Sequence, residues 1–108
     1  MSTTLASDVD VLERVGTALA DSTRRRLLTM LLAAPAYPAE LAEILNVSRA
    51  KVSNHLACLR GCGLVQATRQ GRQVRYELAD DRLAGALREL ARVVLDSPAC
   101  PTHIAARR

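Results

Sequence analysis

Two short helical segments separated by only two residues constrain the fold of this chain more than any other feature. The first segment begins at Pro38, a residue type suited to the first turn of a helix, and carries apolar residues at helical spacing. Asn46 and Val47 follow it, and Ser48 is then a favourable N-cap for a second segment that runs to about Cys62. Two short helices joined by so tight a turn predict a helix-turn-helix.

The sequence on either side predicts three further helices and one β-hairpin. Helical spacing of apolar residues places the helices at about residues 9–20, 22–34 and 81–95. Gly63 is placed to end the preceding helix. Residues 64–69 and 73–78 flank a polar connection that contains Gly71, and the second segment alternates apolar and polar residues, which predicts a β-hairpin. The expected fold class is therefore mainly α with a small β-hairpin (α+β), a winged helix-turn-helix.

The chain is expected to form one domain with a tail. Residues 1–96 contain the predicted elements, whereas residues 97–108 include two prolines, lack periodicity and are predicted to be extended. The 17 Leu and 18 Ala, against two Tyr and no Phe or Trp, favour helices with an aliphatic core over all-β folds. RNA-binding and single-strand-binding proteins stack bases on aromatic side chains, so the shortage of aromatic rings argues against both classes. Binding to duplex DNA remains compatible with the composition.

The net charge of +4 is distributed unevenly. Residues 1–23 carry a charge of −3, residues 24–75 carry +7, and residues 76–108 are neutral. A basic middle between an acidic start and a neutral end is expected of a surface that binds a polyanion, although a solvated basic face is an equal alternative. No apolar run approaches the roughly 20 residues of a membrane span, and no signal segment is visible, so a cytoplasmic protein without a membrane partner is expected.

A helical wheel of residues 48–62 separates an apolar face from a polar one. Val52, Leu56 and Leu59 share the inward stripe, and small residues on the outward face allow a close approach to DNA. The Lys51 side chain is suited to bind a DNA phosphate, and the Asn54 amide is suited to hydrogen-bond the edge of an adenine. The candidate DNA-contacting residues, including one in the hairpin, are Ser48, Arg49, Lys51, Ser53, Asn54, His55 and Arg72.

Arg72 lies in the predicted hairpin, which fits a wing that contacts the minor groove or its phosphates. His55 has either a DNA-binding or a structural role. Arg24, Arg25 and Arg26 bind phosphate or form ion pairs with the acidic first helix. The alternative for the polar face as a whole is an ordinary surface helix.

Several short motifs resemble the winged helix-turn-helix of the ArsR/SmtB repressors. The matching motifs are Glu40-Leu41-Ala42, Val47-Ser48, Val52-Ser53-Asn54-His55-Leu56, Gly63-Leu64-Val65, Arg69, Gly71-Arg72 and Tyr76. Within that family, the run from Cys58 to Val65 and a later cysteine most resemble the cadmium- and lead-sensing subgroup. The resemblance implies a homodimer, built through the first and last helices, that binds operator DNA when metal-free and is released by metal.

The sequence departs from other branches of the family. Residues 39–42 lack the Cys-x-Cys motif of arsenic- and cadmium-binding members, and the last helix lacks the histidines of zinc, nickel or cobalt sensors. The cysteines therefore remain the candidate metal ligands.

Cys58 and Cys62 are four residues apart, so a helix places them on one face, roughly 5 to 6 Å apart. Cys100 is the third cysteine and lies in the predicted tail. Three thiolates form a soft site for which Cd(II) or Pb(II) is the expected inducer, with As(III) or Zn(II) less favoured. Zinc normally takes a fourth ligand, which only His55 or His103 could supply. The resemblance suggests that Cys100 comes from the other protomer, which the sequence leaves open.

Three alternatives to metal sensing remain. The cysteines at 58 and 62 can be two small semi-buried apolar residues, or belong to a thiol redox-sensing repressor of the same fold. A small thiol enzyme is a distant third alternative, because the sequence contains no acid–base pair, no nucleophile with its base and no phosphate loop. We therefore expect no enzymatic activity and no small-molecule substrate. The helix dipole disfavours a thiolate near the helix C-terminus, so the thiols are expected to be protonated.

Overall fold

The structure, a computed structural model, describes the backbone of residues 2–96 and the side chains of residues 8–96. Its elements are α1 (Ser2–Ala20), α2 (Ser22–Ala33), α3 (Pro38–Leu45), α4 (Arg49–Gly61), β1 (Val65–Gln70), β2 (Gln73–Leu78) and α5 (Asp81–Asp96). The predicted order of helices and hairpin is confirmed, with one clear difference. Helix α1 begins at Ser2 instead of near Val9, about two turns earlier, and Leu5 continues the apolar repeat of the sequence into the first of these turns.

The core lies where α2, α3 and α4 meet the base of the hairpin. Its five largest fully buried side chains are Leu27, Leu41, Val52, Leu56 and Leu59. The inward stripe predicted for α4 is thus confirmed, since three of these five residues belong to it. Burial of these aliphatic side chains is the main contribution that holds the helix-turn-helix together.

The turn between α3 and α4 is short because Asn46 adopts the left-handed conformation, with φ of 56°. Asparagine tolerates this conformation better than most residues, and it lets the Val47 N–H donate to the Ala42 carbonyl at 3.1 Å. Ser48 then caps α4, since its Oγ accepts a hydrogen bond from the Lys51 N–H at 3.0 Å. These two residues fix the angle at which α4 leaves the core.

The hairpin is attached to the helices by backbone pairing. Strands β1 and β2 are antiparallel, with Val65 opposite Leu78 and Gln70 opposite Gln73. Ala36, in the loop after α2, exchanges two backbone hydrogen bonds with Tyr76 at 2.8 and 2.9 Å. The base of the hairpin is therefore held against the core, while its turn extends beside α4.

Two arginines close the C-terminal end of α1. Arg24 donates to the carbonyls of Thr17 and Ala18 at 2.8 and 2.9 Å. Arg25 donates to the carbonyls of Leu19 and Ala20, at 2.8 and 3.0 Å. These four carbonyls have no partner within the helix, and a cation is favourable at a helix C-terminus. The prediction that these two arginines form ion pairs with acidic residues of α1 is therefore wrong.

Helices α1 and α5 leave large apolar side chains on the surface. Helix α5 contains no buried residue, and Leu90 and Leu95 are 57% and 82% exposed. The exposed large apolar residues of the two helices are Val9, Val11, Leu12, Leu90, Val93, Val94 and Leu95. None of the described helices is both long and apolar enough to cross a membrane.

Candidate nucleic-acid interface and metal site

The outward face of α4 carries most of the predicted DNA-contacting residues. Arg49, Lys51, Ser53 and Asn54 are exposed, as is Ser48 immediately before the helix. The helical repeat keeps these positions out of the buried stripe of Val52, Leu56 and Leu59. The five residues form the exposed polar surface of α4.

A cleft lies between this surface and the hairpin. Arg49 and Ser53 line its helical side, and Arg72 lines the hairpin side. Tyr37 and Gln73 also line the cleft. Sequence reasoning missed these two residues, since Tyr37 precedes a helix and Gln73 begins a strand, so neither is part of a local motif. The arrangement offers two guanidinium groups and several hydrogen-bond donors to one anionic group.

The cationic groups of this surface are available to a ligand. Within residues 8–96, the ion pairs involve His55 with Asp21, Arg82 with Asp80 and Arg92 with Glu89. Arg49, Lys51 and Arg72 are exposed and take part in none of these pairs.

His55 is partly buried, unlike the exposed residues of the polar surface of α4. Its side chain is 17% exposed. Its Nδ1 lies 3.3 Å from Nη1 of Arg24, and its Nε2 lies 3.7 Å from Oδ2 of Asp21. The Asp21 carboxylate also accepts from the Arg24 N–H at 3.0 Å, and this hydrogen bond is the main cause that lowers the pKa of Asp21. The contacts of His55 are thus with the junction of α1 and α2.

Cys58 and Cys62 form a pair of half-buried free thiols at the C-terminal end of α4. Burial raises the pKa of the Cys62 thiol, and the neighbouring Cys58 raises it further through its charge and a hydrogen bond. Arg14 and Arg24 oppose this shift by a smaller amount. The expectation of a protonated thiol is confirmed for Cys62, but burial is the leading cause where the helix dipole was expected.

A groove beside Cys62 is lined by residues of α1, among them Asp10, Glu13, Arg14 and Thr17. No group of three His, Cys, Asp or Glu side chains within the described part of the chain is close enough to hold a metal ion. Cys100 and His103, the other predicted ligands, lie outside the described residues. The structure therefore brings together two of the three cysteines proposed from the sequence.

Comparison with known proteins extends this description. The sequence model of a protein family, described as bacterial regulatory protein, arsR family, matches residues 21–67. The HTH-type transcriptional regulator CmtR of Mycobacterium bovis is 62% identical over 84 residues, which cover 78% of this chain and 71% of the relative.

Two solved structures share the fold. The NMR structure of the cadmium metal-sensor CMTR from Mycobacterium tuberculosis is 58% identical, with a TM-score of 0.64 over 81% of this chain and 95% of that one. The homodimeric winged helix-turn-helix DNA-binding domain of a possible ArsR-family transcriptional regulator from Mycobacterium bovis is 32% identical. Its TM-score is 0.75, over 84% of this chain and 83% of that one.

The family resemblance predicted from the sequence motifs is confirmed by these similarities. The winged helix-turn-helix is confirmed as well, both by the elements of the structure and by its neighbours. Because the relatives are transcriptional regulators, the prediction that the chain is not an enzyme is also confirmed. The chain belongs to the ArsR family of bacterial transcriptional regulators.

Proposed function

We propose that the chain is a metal-responsive repressor that binds operator DNA when metal-free and is released by a soft metal ion. The observation that carries this proposal is the half-buried thiol pair of Cys58 and Cys62 at one end of α4, the helix whose exposed face carries Lys51 and Asn54. A ligand at the thiols and a contact with DNA would act on the same rigid element. The similarity to a protein described as a cadmium metal-sensor supports the same function.

The proposed DNA surface combines α4 with the hairpin. Ser48, Arg49, Lys51 and Ser53 contact phosphates, and Asn54 reads a base edge in the major groove. Arg72 enters the adjacent minor groove or binds its phosphates. The cleft between α4 and the hairpin then receives one phosphate of the backbone, with Tyr37 and Gln73 as further donors.

His55 is assigned a structural role within this proposal. Its ring faces Arg24 and Asp21 and is mostly buried, whereas the proposed DNA-contacting residues of α4 are exposed. The same contacts make it a poor fourth metal ligand, because its two ring nitrogens face Arg24 and Asp21.

The proposed repressor is a homodimer that pairs through α1 and α5. Both helices expose apolar residues that one chain does not cover, such as Leu12 and Val93, at 69% and 63% exposure. Burial of this surface against a second copy is favourable, and the similar domain from Mycobacterium bovis is described as homodimeric. Two copies of α4 then reach successive major grooves, about 34 Å apart. Regulator and operator meet in the cytoplasm.

The proposed metal ligands are Cys58, Cys62 and Cys100. The two thiols of α4 are soft and lie one turn apart on the same helix, which fits a thiophilic ion but leaves it undercoordinated. Cys100 completes a three-thiolate site for Cd(II) or Pb(II), with As(III) and Zn(II) less well suited. The metal, when bound, supplies a strong cross-link between α4 and the chain segment that contains Cys100.

Operator binding titrated with Cd(II) and Pb(II) tests the proposal. Wild type should dissociate at stoichiometric metal, whereas Cys58→Ser and Cys62→Ser should retain DNA binding and lose the response. Cys100→Ser should bind metal more weakly and release DNA poorly. If both variants of the α4 cysteines still dissociate at stoichiometric metal, the proposed site is wrong.

Two further arms separate the alternatives. A heterodimer of Cys100→Ser and Cys58→Ser subunits keeps one intact site if Cys100 coordinates across the dimer, and none if it coordinates within its own chain. Release by hydrogen peroxide that dithiothreitol reverses, without release by metal, supports the thiol redox-sensing repressor instead.

A further inference from the structure

The guanidinium group of Arg24 joins three helices. Its Nε and Nη2 donate to the carbonyls of Ala18 and Thr17, at the end of α1. Its Nη1 lies 3.3 Å from Nδ1 of His55, in the middle of α4, 31 residues further along the chain. Since the first two hydrogen bonds fix the plane of the guanidinium, the third N–H has a defined direction.

The second ring nitrogen of His55 faces the same junction of helices. Arginine carries donors only, so a hydrogen bond from Nη1 of Arg24 ends on the lone pair of Nδ1. Nε2 lies 3.7 Å from Oδ2 of Asp21, and Asp21 itself caps α2. Both ring nitrogens of His55 are therefore oriented by the junction of α1 and α2.

His55 lies between the two functional parts of α4. It precedes Cys58 by three residues, which places the two on neighbouring turns of the same helix, and it follows Asn54 directly. One contact thus lies next to the proposed metal ligands and next to the proposed base-reading residue.

We propose that the Arg24–His55 contact holds α4 in its DNA-binding orientation, and that metal binding at Cys58 and Cys62 releases operator DNA by displacing this contact. The inference rests on the proposed function and assigns Arg24 and His55 as positioning residues within it. If the two thiols held a metal ion together with a third ligand, a shift of the C-terminal half of α4 would change the distance from Nη1 to Nδ1, because Arg24 is fixed to α1. Without the contact, α4 is less well oriented for the operator and metal has less effect on it.

Variants on both sides of the contact test the proposal. His55→Phe keeps a ring of similar shape without an acceptor, and His55→Asn returns an acceptor oxygen close to the position of Nδ1. Arg24→Ala removes the donor. Arg25→Ala is the matched control, because the side-chain hydrogen bonds of Arg25 go to two neighbouring carbonyls of α1 and, within the described residues, none goes to α4. Thermal unfolding by circular dichroism verifies that each full-length variant is folded.

The measurements are operator affinity with and without Cd(II), and Cd(II) affinity from the thiolate-to-metal absorption band. His55→Phe and Arg24→Ala should bind Cd(II) within about threefold of wild type, while the ratio of metal-free to metal-bound operator affinity falls by about 5-fold or more. Arg25→Ala should keep the wild-type ratio, and His55→Asn should restore most of it.

Two outcomes overturn the inference: a wild-type ratio in both His55→Phe and Arg24→Ala, or an equal loss of the ratio in Arg25→Ala. Operator affinity measured without metal distinguishes a failure of this inference from a failure of the proposed function. If wild type does not respond to metal, the proposed metal sensing fails. The positioning role then still requires weaker metal-free operator binding by His55→Phe than by Arg25→Ala, and equal binding by the two removes it.

Discussion

The winged core and the two helices α1 and α5 differ in how much of their apolar surface one chain can cover. The winged core, which comprises α2, α3, α4 and the hairpin, buries Leu27, Leu56 and Leu59 completely. Helix α5 buries no residue, although its apolar positions repeat as regularly. The comparison teaches that one region is complete as a monomer, whereas the other is built to meet a second surface.

The largest expected effect is on the stability of the winged core. Leu56→Ala should lower the free energy of unfolding by about 2–5 kcal/mol, since it leaves a cavity where the side chain is fully buried. Ile44→Ala is the matched control, because Ile44 lies on α3 in the same region but is 66% exposed. Its substitution should change stability by no more than about 0.5 kcal/mol, as measured by urea denaturation. Equal losses would mean that the core is not closed as described.

Leu90→Glu tests the other side of the comparison. A charge at this exposed position of α5 should prevent dimer formation while the winged core stays folded, because a carboxylate is costly to bury in an apolar interface. Analytical ultracentrifugation should show a monomer with an unchanged helical signal. Leu87 is a less suitable site for this substitution, since it lines a cleft against α2 within the chain.

Ile44→Glu introduces the same charge outside the proposed interface and should remain dimeric. A Leu90→Glu protein that sediments as a dimer would place the interface elsewhere on the molecule.

The DNA surface belongs entirely to the winged core, so its residues should act separately from dimer formation. Asn54→Ala should lose about 1–3 kcal/mol of discrimination between operator and random DNA. Lys51→Ala should weaken binding to operator and to random DNA similarly, and should reduce the slope of log affinity against log salt concentration by about one. Fluorescence anisotropy at several salt concentrations separates the two. An equal loss on operator and random DNA for Asn54→Ala would remove its base-reading role.

Cys62 lies where α4 meets α1, so its ionisation reports on the boundary between the two regions. The raised pKa of this thiol means that metal must displace a proton at neutral pH. We expect Cd(II) affinity to rise with pH by about one log unit per pH unit for each protonated thiol, until the thiol pKa is reached. Cys62→Ser should lower the slope of log Cd(II) affinity against pH by about one. A wild-type affinity independent of pH between 6 and 8 would contradict the protonated thiol.

The smallest expected effect concerns Asp80, at the junction of the hairpin and α5. Hydrogen bonds from the Arg82 side chain and N–H lower the pKa of Asp80 to about 2, from its usual 3.8. A lowered pKa means that the contribution to stability is present above pH 3.8 and is lost as the pH falls through about 2. Because the group is exposed, the contribution is small. Wild type should be slightly more stable than Asp80→Asn at pH 5, and this difference should disappear near pH 2.

Much of the fold is local in origin and was therefore predictable. The bounds of α3 and β2, the cap at Ser48 and the helix end at Gly63 each depend on residues within a few positions of one another. The same holds for the Cys58 and Cys62 pair, since helical geometry alone places residues four apart on one face. The exposed polar face of α4 likewise followed from the helical repeat.

The amino-acid sequence by itself determined the helix-turn-helix, the wing, the polar face of α4 and the thiol pair, because short-range periodicity and capping specify each of them. Only the tertiary structure decided the partners of Arg24 and His55 and the place of Tyr37 in the cleft beside α4. An arginine in the first turn of α2 can bind phosphate, a carboxylate or a helix end with similar local chemistry. Which of these it meets depends on the packing of α1 against α2 and α4, and contacts across 31 residues leave no periodic signal in the chain.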